Sequence, residues 1–303
     1  MVGRQLKSLD EALAWARQRA AAAQASAQAS TPAEAPPPTP AVQLPLWPEP
    51  VRGVPNSILR SALFGAIRRG KRAFMQRQEI ASYEGVTILQ TGPRLDQADL
   101  DVWEQCLHLA RTGGLGLEIR FTGHGFLKAI GRGTGKSQHE WLKGALSRLM
   151  ASVVEVQDGK RAYAGQLIHH WYRDDDTGRH VIVINPKIAA LYGSDGWTQT
   201  EWGQRLALKR QPLAQWLHGF YSTHAQPFPI KVQTIHRLCG SEAARLDHFR
   251  SELRDALAAL AEATGWTWDI DGADLVHVRK QPTAAQARHL IHRTRHSTGG
   301  DTA

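Results

Sequence analysis

The sequence predicts an α+β chain of two tandem units of one kind, each a set of helices closed by a β-hairpin, behind a disordered N-terminal extension. Three observations predict it. The chain has 303 residues and is 42% hydrophobic, enough for about two domains with real cores. One order of helical and alternating segments occurs twice. The first stretch is rich in Ala and Pro and has too few large apolar residues to form a core.

The extension comes first. Ser8-Leu9-Asp10-Glu11 has capping-box spacing, so an Ala-rich helix is expected to about Ala25. Ser30 to Ala41 reads as a polyproline-type linker. The spans expected are a flexible extension over 1–50, a first domain over 51–184, a second over 185–280 and a flexible tail over 281–303. In the first copy, Asp96 is the expected N-cap of a helix to Arg111, with Leu100, Trp103, Leu107 and Ala110 at helical spacing. Helices over Thr122–Ile130 and Ser137–Met150 follow, separated by the turn Gly131-Arg132-Gly133-Thr134-Gly135. Strands are expected over Ser152–Gln157, Ala164–Tyr172 and Arg179–Ile184, with turns at Asp158-Gly159 and Thr177-Gly178. Two upstream strands, Glu79–Tyr83 and Val86–Gln90, are placed beside them.

The second copy has helices expected over Thr200–Arg210, Pro212–His224, Val232–Cys239 and Glu242–Ala263, with Gly240-Ser241 as the break. Strands Gly265–Ile270 and Leu275–Lys280 fold around Asp271-Gly272. Helix, turn, helix and then a β-hairpin is the winged form of helix-turn-helix, so two tandem winged-helix domains are expected.

Charge narrows the function. Lysine and arginine exceed the acids enough for a formal net charge of +9, which attracts polyanions, nucleic acid first among them. The two cysteines, Cys106 and Cys239, lie far apart in helical patterns; this suits a reducing cytoplasm and offers no metal cluster. No membrane span is expected, since no run approaches ~20 apolar residues, and no signal peptide, since Ala12 to Ala29 is broken by Arg17, Arg19 and several Gln.

The helix expected from Glu242 is the most informative element. Leu246, Phe249, Leu253, Leu257 and Leu260 make its apolar face, and Arg245, His248, Arg250 and Arg254 stand off it near the N-terminal end. The first turns of the second helix of such a motif reach base edges, and Arg suits guanine O6 and N7. The alternative is a solvated face ion-paired to Asp247 and Glu242. On the helix after Ser137, Lys136 and Lys143 face outward, placed either to touch phosphates or to meet a second protomer. The turn Gly131 to Ser137 misses the phosphate-loop spacing, with Ile130 where the first Gly belongs. Arg132 and Lys136 are therefore assigned to backbone phosphates rather than ATP.

His169-His170 is expected on a strand with its rings on opposite sides, unable to share a metal. Asp174-Asp175-Asp176 reads as a solvated turn. No nucleophile–base set is found, so no catalysis, cofactor or metal is expected. Gln43-Leu44-Pro45-Leu46-Trp47 is an apolar island flanked by Pro, either a linear motif docking on a partner or a strap packed on the body.

These segments together resemble the TrfA family of plasmid replication initiators, over about Gln43 to Lys280. The carriers are Gln43-Leu44-Pro45-Leu46-Trp47-Pro48, Pro55-Asn56, Arg60-Ser61-Ala62-Leu63-Phe64, Leu100-Asp101-Val102-Trp103-Glu104-Gln105, Leu146-Ser147-Arg148-Leu149, Phe220-Tyr221-Ser222-Thr223-His224 and Leu238-Cys239-Gly240-Ser241. The resemblance implies binding to direct repeats (iterons) at a plasmid origin, opening of adjacent AT-rich DNA, recruitment of host DnaA and DnaB, and exchange between monomer and dimer. It also implies that Gln43, Leu44, Leu46 and Trp47 form a motif for the bacterial sliding clamp, with Pro45 and Trp47 departing from the family pattern. The same implication points to Arg245, His248 and Arg250 as readers of DNA. The alternative function is a winged-helix transcriptional repressor, which needs no clamp motif.

Overall fold

The computed structural model describes residues 18, 41–68, 70, 72–83, 85–159, 161–174, 177–193, 196–284 and 286–288. Residues 1–40 and 41–303 are separate units, and the second is the one described here. The expected capping box at Ser8, the helix to Ala25 and nearly all of the Pro-rich linker lie outside the described residues. So do Asp175, Asp176, His289 and His292.

In chain order the elements are β1 (Val51–Pro55), α1 (Asn56–Leu59), β2 (Phe64–Gly65), β3 (Phe74–Ile80), β4 (Val86–Pro93), β5 (Leu95–Asp96), α2 (Gln97–Ala110), β6 (Ile119–Phe121), α3 (Gly123–Ala129) and α4 (Lys136–Ala151). There follow β7 (Val153–Asp158), β8 (Arg161–Gln166), β9 (His170–Arg173), β10 (His180–Val183), a 3-10 turn (Pro186–Tyr192), β11 (Trp197–Glu201) and α5 (Trp202–Ala207). The chain continues with α6 (Pro212–Ser222), β12 (Ile230–Lys231), α7 (Val232–Leu238), α8 (Leu246–Thr264), β13 (Thr267–Ile270) and β14 (Leu275–Arg279).

Local chemistry sets the starts of the first helices. The Asp96 side chain accepts from the Asp99 amide at 2.9 Å while the Asp99 carboxylate accepts from the Asp96 amide at 3.2 Å, a reciprocal cap for α2. Thr122 Oγ1 accepts from the Gly125 amide at the start of α3. Leu100, Val102, Trp103, Cys106 and Leu107 then make α2 the buried axis of the first core.

The same topology occurs twice. In the first module a helix (α2), a short strand (β6) and two helices (α3, α4) lead to β9 and β10, with sheet order β6-β10-β9. In the second module α6, β12, α7 and α8 lead to β13 and β14, with sheet order β12-β14-β13. The first module carries an insertion: β7 and β8 leave α4 and join β3 and β4 in a separate antiparallel sheet of order β3-β4-β7-β8. Each module has its own apolar cluster, one running from Leu44 to Trp202 and the other from Leu208 to Val278. The expected division at 184/185 therefore falls inside the first cluster. Among the described residues no helix is long and apolar enough to cross a membrane.

Several expected boundaries move for physical reasons. The strand expected over Ala164–Tyr172 is two strands, because Leu167 and Ile168 are both buried and alternation breaks there. The helix expected from Thr200 begins at Trp202, since Thr200 and Glu201 pair with Arg52 and Val51 of β1. The helix expected from Glu242 begins at Leu246; Glu242 is instead ion-paired to Arg94 at 2.7 Å. His169 precedes β9 rather than lying in it, so its ring meets His170 edge to face, with centroids 5.7 Å apart, and not across the sheet. The start of the expected flexible tail is docked: Gln286 Nε2 donates to the Ser222 carbonyl at 2.8 Å.

The apolar island Gln43–Trp47 is a strap. Leu44 is 2% exposed and Trp47 4%, while Gln43 is exposed and Leu46 stands out at 69%. The Trp47 ring lies parallel to Tyr192 at 6.3 Å, and its Nε1 donates to His108 Nδ1 at 3.1 Å. Gly53 makes room for it, because a Cβ there would lie 2.5 Å from Trp47 Cε3. In this conformation Leu44 and Trp47, two of the side chains assigned to a clamp pocket, are in the core.

Between the modules lies a buried polar cluster. Arg205 of α5 is 1% exposed and donates from Nε to Asp101 at 2.7 Å, with Glu104 at 3.2 Å and the Gln97 carbonyl at 3.1 Å from Nη2. Gln215 of α6 donates to the same Asp101 carboxylate. One cation thus joins the axis helix of the first module to that of the second.

Candidate nucleic-acid interface

The third helix of each module, α4 and α8, holds the candidate residues. On α8, Phe249, Leu253, Ala256, Leu257 and Leu260 turn inward, leaving Arg245, His248, Ser251 and Arg254 exposed toward the N-terminal end. The exposed C-terminal half carries Asp255 and Glu262, whereas the N-terminal end carries Arg245, Arg250 and Arg254 against Asp247 and Glu252, so the arginines gather in the first turns. That end also presents the positive pole of the helix dipole.

Each predicted reader has a definite setting. Arg245 is the N-cap residue, not part of the helix, and its guanidinium grips Asp247 with contacts of 2.6 and 3.1 Å. That bond holds the Asp247 carboxyl below its ordinary value. His248 is exposed in the first turn. Arg250 makes a two-pronged pair with Asp274, both bonds 2.9 Å, and Asp274 sits in the turn of the β13–β14 hairpin. The pair holds the Asp274 carboxyl below its usual range and ties the helix to the hairpin. Arg254 is exposed on the next turn. Arg245 and Arg250 would exchange a surface carboxylate for any other acceptor, a modest cost for exposed pairs.

On α4 the setting is less uniform. Lys136 is its first residue and is exposed. Lys143 is paired with Glu140 at 2.9 Å. Arg132 lies in the turn before α4 with its guanidinium over the Trp141 ring at 3.4 Å, and its Nε donates to Gln138 at 3.1 Å. The structure brings Arg245, His248, Arg250 and Arg254 together at one end of α8. Lys136 and Arg132 stand at the corresponding end of α4, while Gln43, Leu44, Leu46 and Trp47 belong to the strap.

Sequence reasoning missed three cations: Arg68, Lys209 and Arg210. Together with Arg132 they line a cleft that also receives Gln97, Asp101 and Pro212. One signal was present, the run Arg68-Arg69-Gly70-Lys71-Arg72, with four cations in five residues.

A doubled helix–hairpin module with cations at the start of its third helices is a surface that can hold a polyanion along its length. The chain belongs to the TrfA protein family, which matches it over residues 39–280. The plasmid replication initiator protein TrfA of Escherichia coli is 27% identical over 245 residues, covering 77% of this chain and 63% of that protein. The chain thus spans less than two thirds of that relative's length. Among solved structures, domains 2 and 3 of RctB share the fold, with a TM-score of 0.51 at 11% identity, covering 74% of this chain and 97% of that one. The Pi initiator protein in complex with iteron DNA aligns with a TM-score of 0.45 at 13% identity, covering 59% and 91%.

Proposed function

We propose that this chain is a plasmid replication initiator that binds repeated duplex DNA sites at an origin through two tandem winged-helix domains. The observation that carries the reading is the group of arginines at the N-terminal end of α8, set beside the β13–β14 hairpin and doubled in topology by α4 with its own hairpin. In a winged helix the third helix enters the major groove and the hairpin flanks it. Arg245, His248, Arg250 and Arg254 are then the residues facing bases, while Lys136, Lys143 and Arg132 face phosphates. Membership of the TrfA family supports the origin as the target, and an activity in the cytoplasm follows from that target. Helping to open the origin and recruiting host DnaA, DnaB and the sliding clamp belong to the same proposal, as does exchange between monomer and dimer. Clamp docking through Gln43–Trp47 requires the strap to leave the body first, since Leu44 and Trp47 are buried. No step here calls for a catalytic residue.

The test is footprinting on fragments of the replicon that carries the gene. Protection of regularly spaced repeats is the expected result. Equal affinity for all fragments contradicts the proposal.

A further inference from the structure

A furrow runs between the candidate ends of the two modules. Its larger part is a cleft of about 540 Å³ beside the α3–α4 turn, and Ile67 and Arg68 also line a second depression with Glu242, Ala243, His248 and Glu252. The rim of the cleft is cationic. Arg68 is 86% exposed along its side chain, though ion-paired at its tip to Glu252, and Lys209 and Arg210 are exposed from the α5–α6 turn. The carboxylates of its floor are paired: Asp96, buried, with Arg72 at 2.5 Å, and Asp101, partly buried, with Arg205 at 2.7 Å.

Local geometry places these cations deliberately. Trp202 Nε1 donates to the Ala129 carbonyl at 3.0 Å, fixing α5 to the end of α3. Gly131, at φ +65°, lets the α3–α4 turn close on α5, since a Cβ there would sit 3.1 Å from Leu206 Cδ2. Lys209 and Arg210 are thereby held across the cleft from Arg132. Arg210 has φ 70°, a left-handed conformation that L side chains rarely adopt, and such outliers concentrate where a site needs a particular direction.

We infer that this furrow is a phosphate-binding track in which the sugar–phosphate backbone of a duplex passes from one module to the other. The chemistry recognised is phosphate. A continuous backbone fits better than a free nucleotide because the furrow is a succession of open depressions ending at His248, not a closed pocket. Its cations gather on the first cleft, and Arg68 continues them to the second depression, whose carboxylates Glu242 and Glu252 are paired with Arg94 and Arg68. The inference rests on the proposed function and adds contacts to it at Arg68, Lys209 and Arg210, none of which reads a base.

The test uses the full chain and a mixed-sequence duplex several helical turns long, with affinity measured as a function of salt. Each lost phosphate contact lowers the slope of log K against log salt by about 1. Lys209→Gln combined with Arg210→Gly should therefore lower it by about 2, and Arg68→Gln separately by about 1. Glycine is at ease at the Arg210 backbone angle, so the double variant removes charge without adding strain, and its melting temperature should match the wild type. The preference for an origin repeat over a scrambled duplex should persist in both variants. Unchanged slopes alongside normal wild-type binding overturn the track and leave the proposed function standing. Stabilisation of the wild type by ATP or inorganic phosphate, lost in the double variant while its duplex slope holds, assigns the cations to a free ligand and overturns it too. A wild type that binds no duplex overturns the track and the function together.

Discussion

Replacing Trp47 with alanine asks whether Gln43–Trp47 is a strap or a free peptide. The ring is 4% exposed, lies against Tyr192 and Trp197 at 6.3 and 5.9 Å, and covers Gly53. Truncating a buried Trp to Ala typically costs about 3–5 kcal/mol in lost transfer energy and cavity formation. The indole N–H also serves His108, whose Nδ1 accepts it while Nε2 faces the Glu49 carboxylate at 2.8 Å. Glu49 is held down to about 2, chiefly by that bond and by Arg111, and the release of Trp47 removes the first support of the imidazole in this geometry. We expect Trp47→Ala to lose about 3–5 kcal/mol in urea unfolding. Leu46→Ala, at a residue 69% exposed, should stay within about 0.5 kcal/mol. Equal and small losses in both variants would refute the strap and restore the segment as a free docking peptide.

Three further outcomes follow from buried groups. Arg205→Met leaves Asp101 and Glu104 without their cation, so unfolding experiments should show a loss of about 3–5 kcal/mol. Gly53→Ala sets a methyl against the Trp47 ring and should cost about 1–3 kcal/mol by the same assay. His218 is buried and kept neutral down to about 3, first by desolvation and then by the charges of Arg205 and Lys280. Its folded value lies below the ordinary 6.5, so its contribution is complete above 6.5 and is lost as pH falls toward 3. Burial pushes Glu104 the other way, from 4.5 up to about 7, so its protonation adds stability as pH falls from about 7 to 4.5 and nothing further below that. Comparing wild type with His218→Phe separates the two. Below 6.5 the stability gap between them should shift against the wild type by up to about 1.4 kcal/mol per pH unit, and a pH-independent gap would show that His218 is not held neutral.

What the sequence made legible was local. The α2 start is written in Asp96 and Asp99, the α3 start in Thr122, and the β13–β14 turn in Asp271-Gly272, each within a few residues of its partners. The basic end of α8 was also legible, because an apolar stripe and its flanking arginines follow helical spacing. The hidden parts depend on distant residues. Nothing near Thr200 says that it pairs with Arg52, and nothing near Glu242 says that Arg94 will hold it outside the helix. Pro-flanked Leu44 and Trp47 look like a free peptide until Gly53, Tyr192 and His108 are folded around them. The cations Arg132 and Lys209 share a cleft because α5 docks on α3, and Arg68 joins them from the segment before β3, so no spacing in the sequence unites the three.

The central claim is that the N-terminal end of α8 reads a DNA sequence. The measurement that tests it most directly is the affinity ratio between a footprinted origin repeat and a scrambled duplex of equal length, for wild type and Arg250→Ala at fixed salt. Loss of one base contact should lower the ratio by about 1–3 kcal/mol, with binding to the scrambled duplex nearly unchanged. An unchanged ratio in Arg250→Ala, Arg245→Ala and His248→Ala alike would contradict the account.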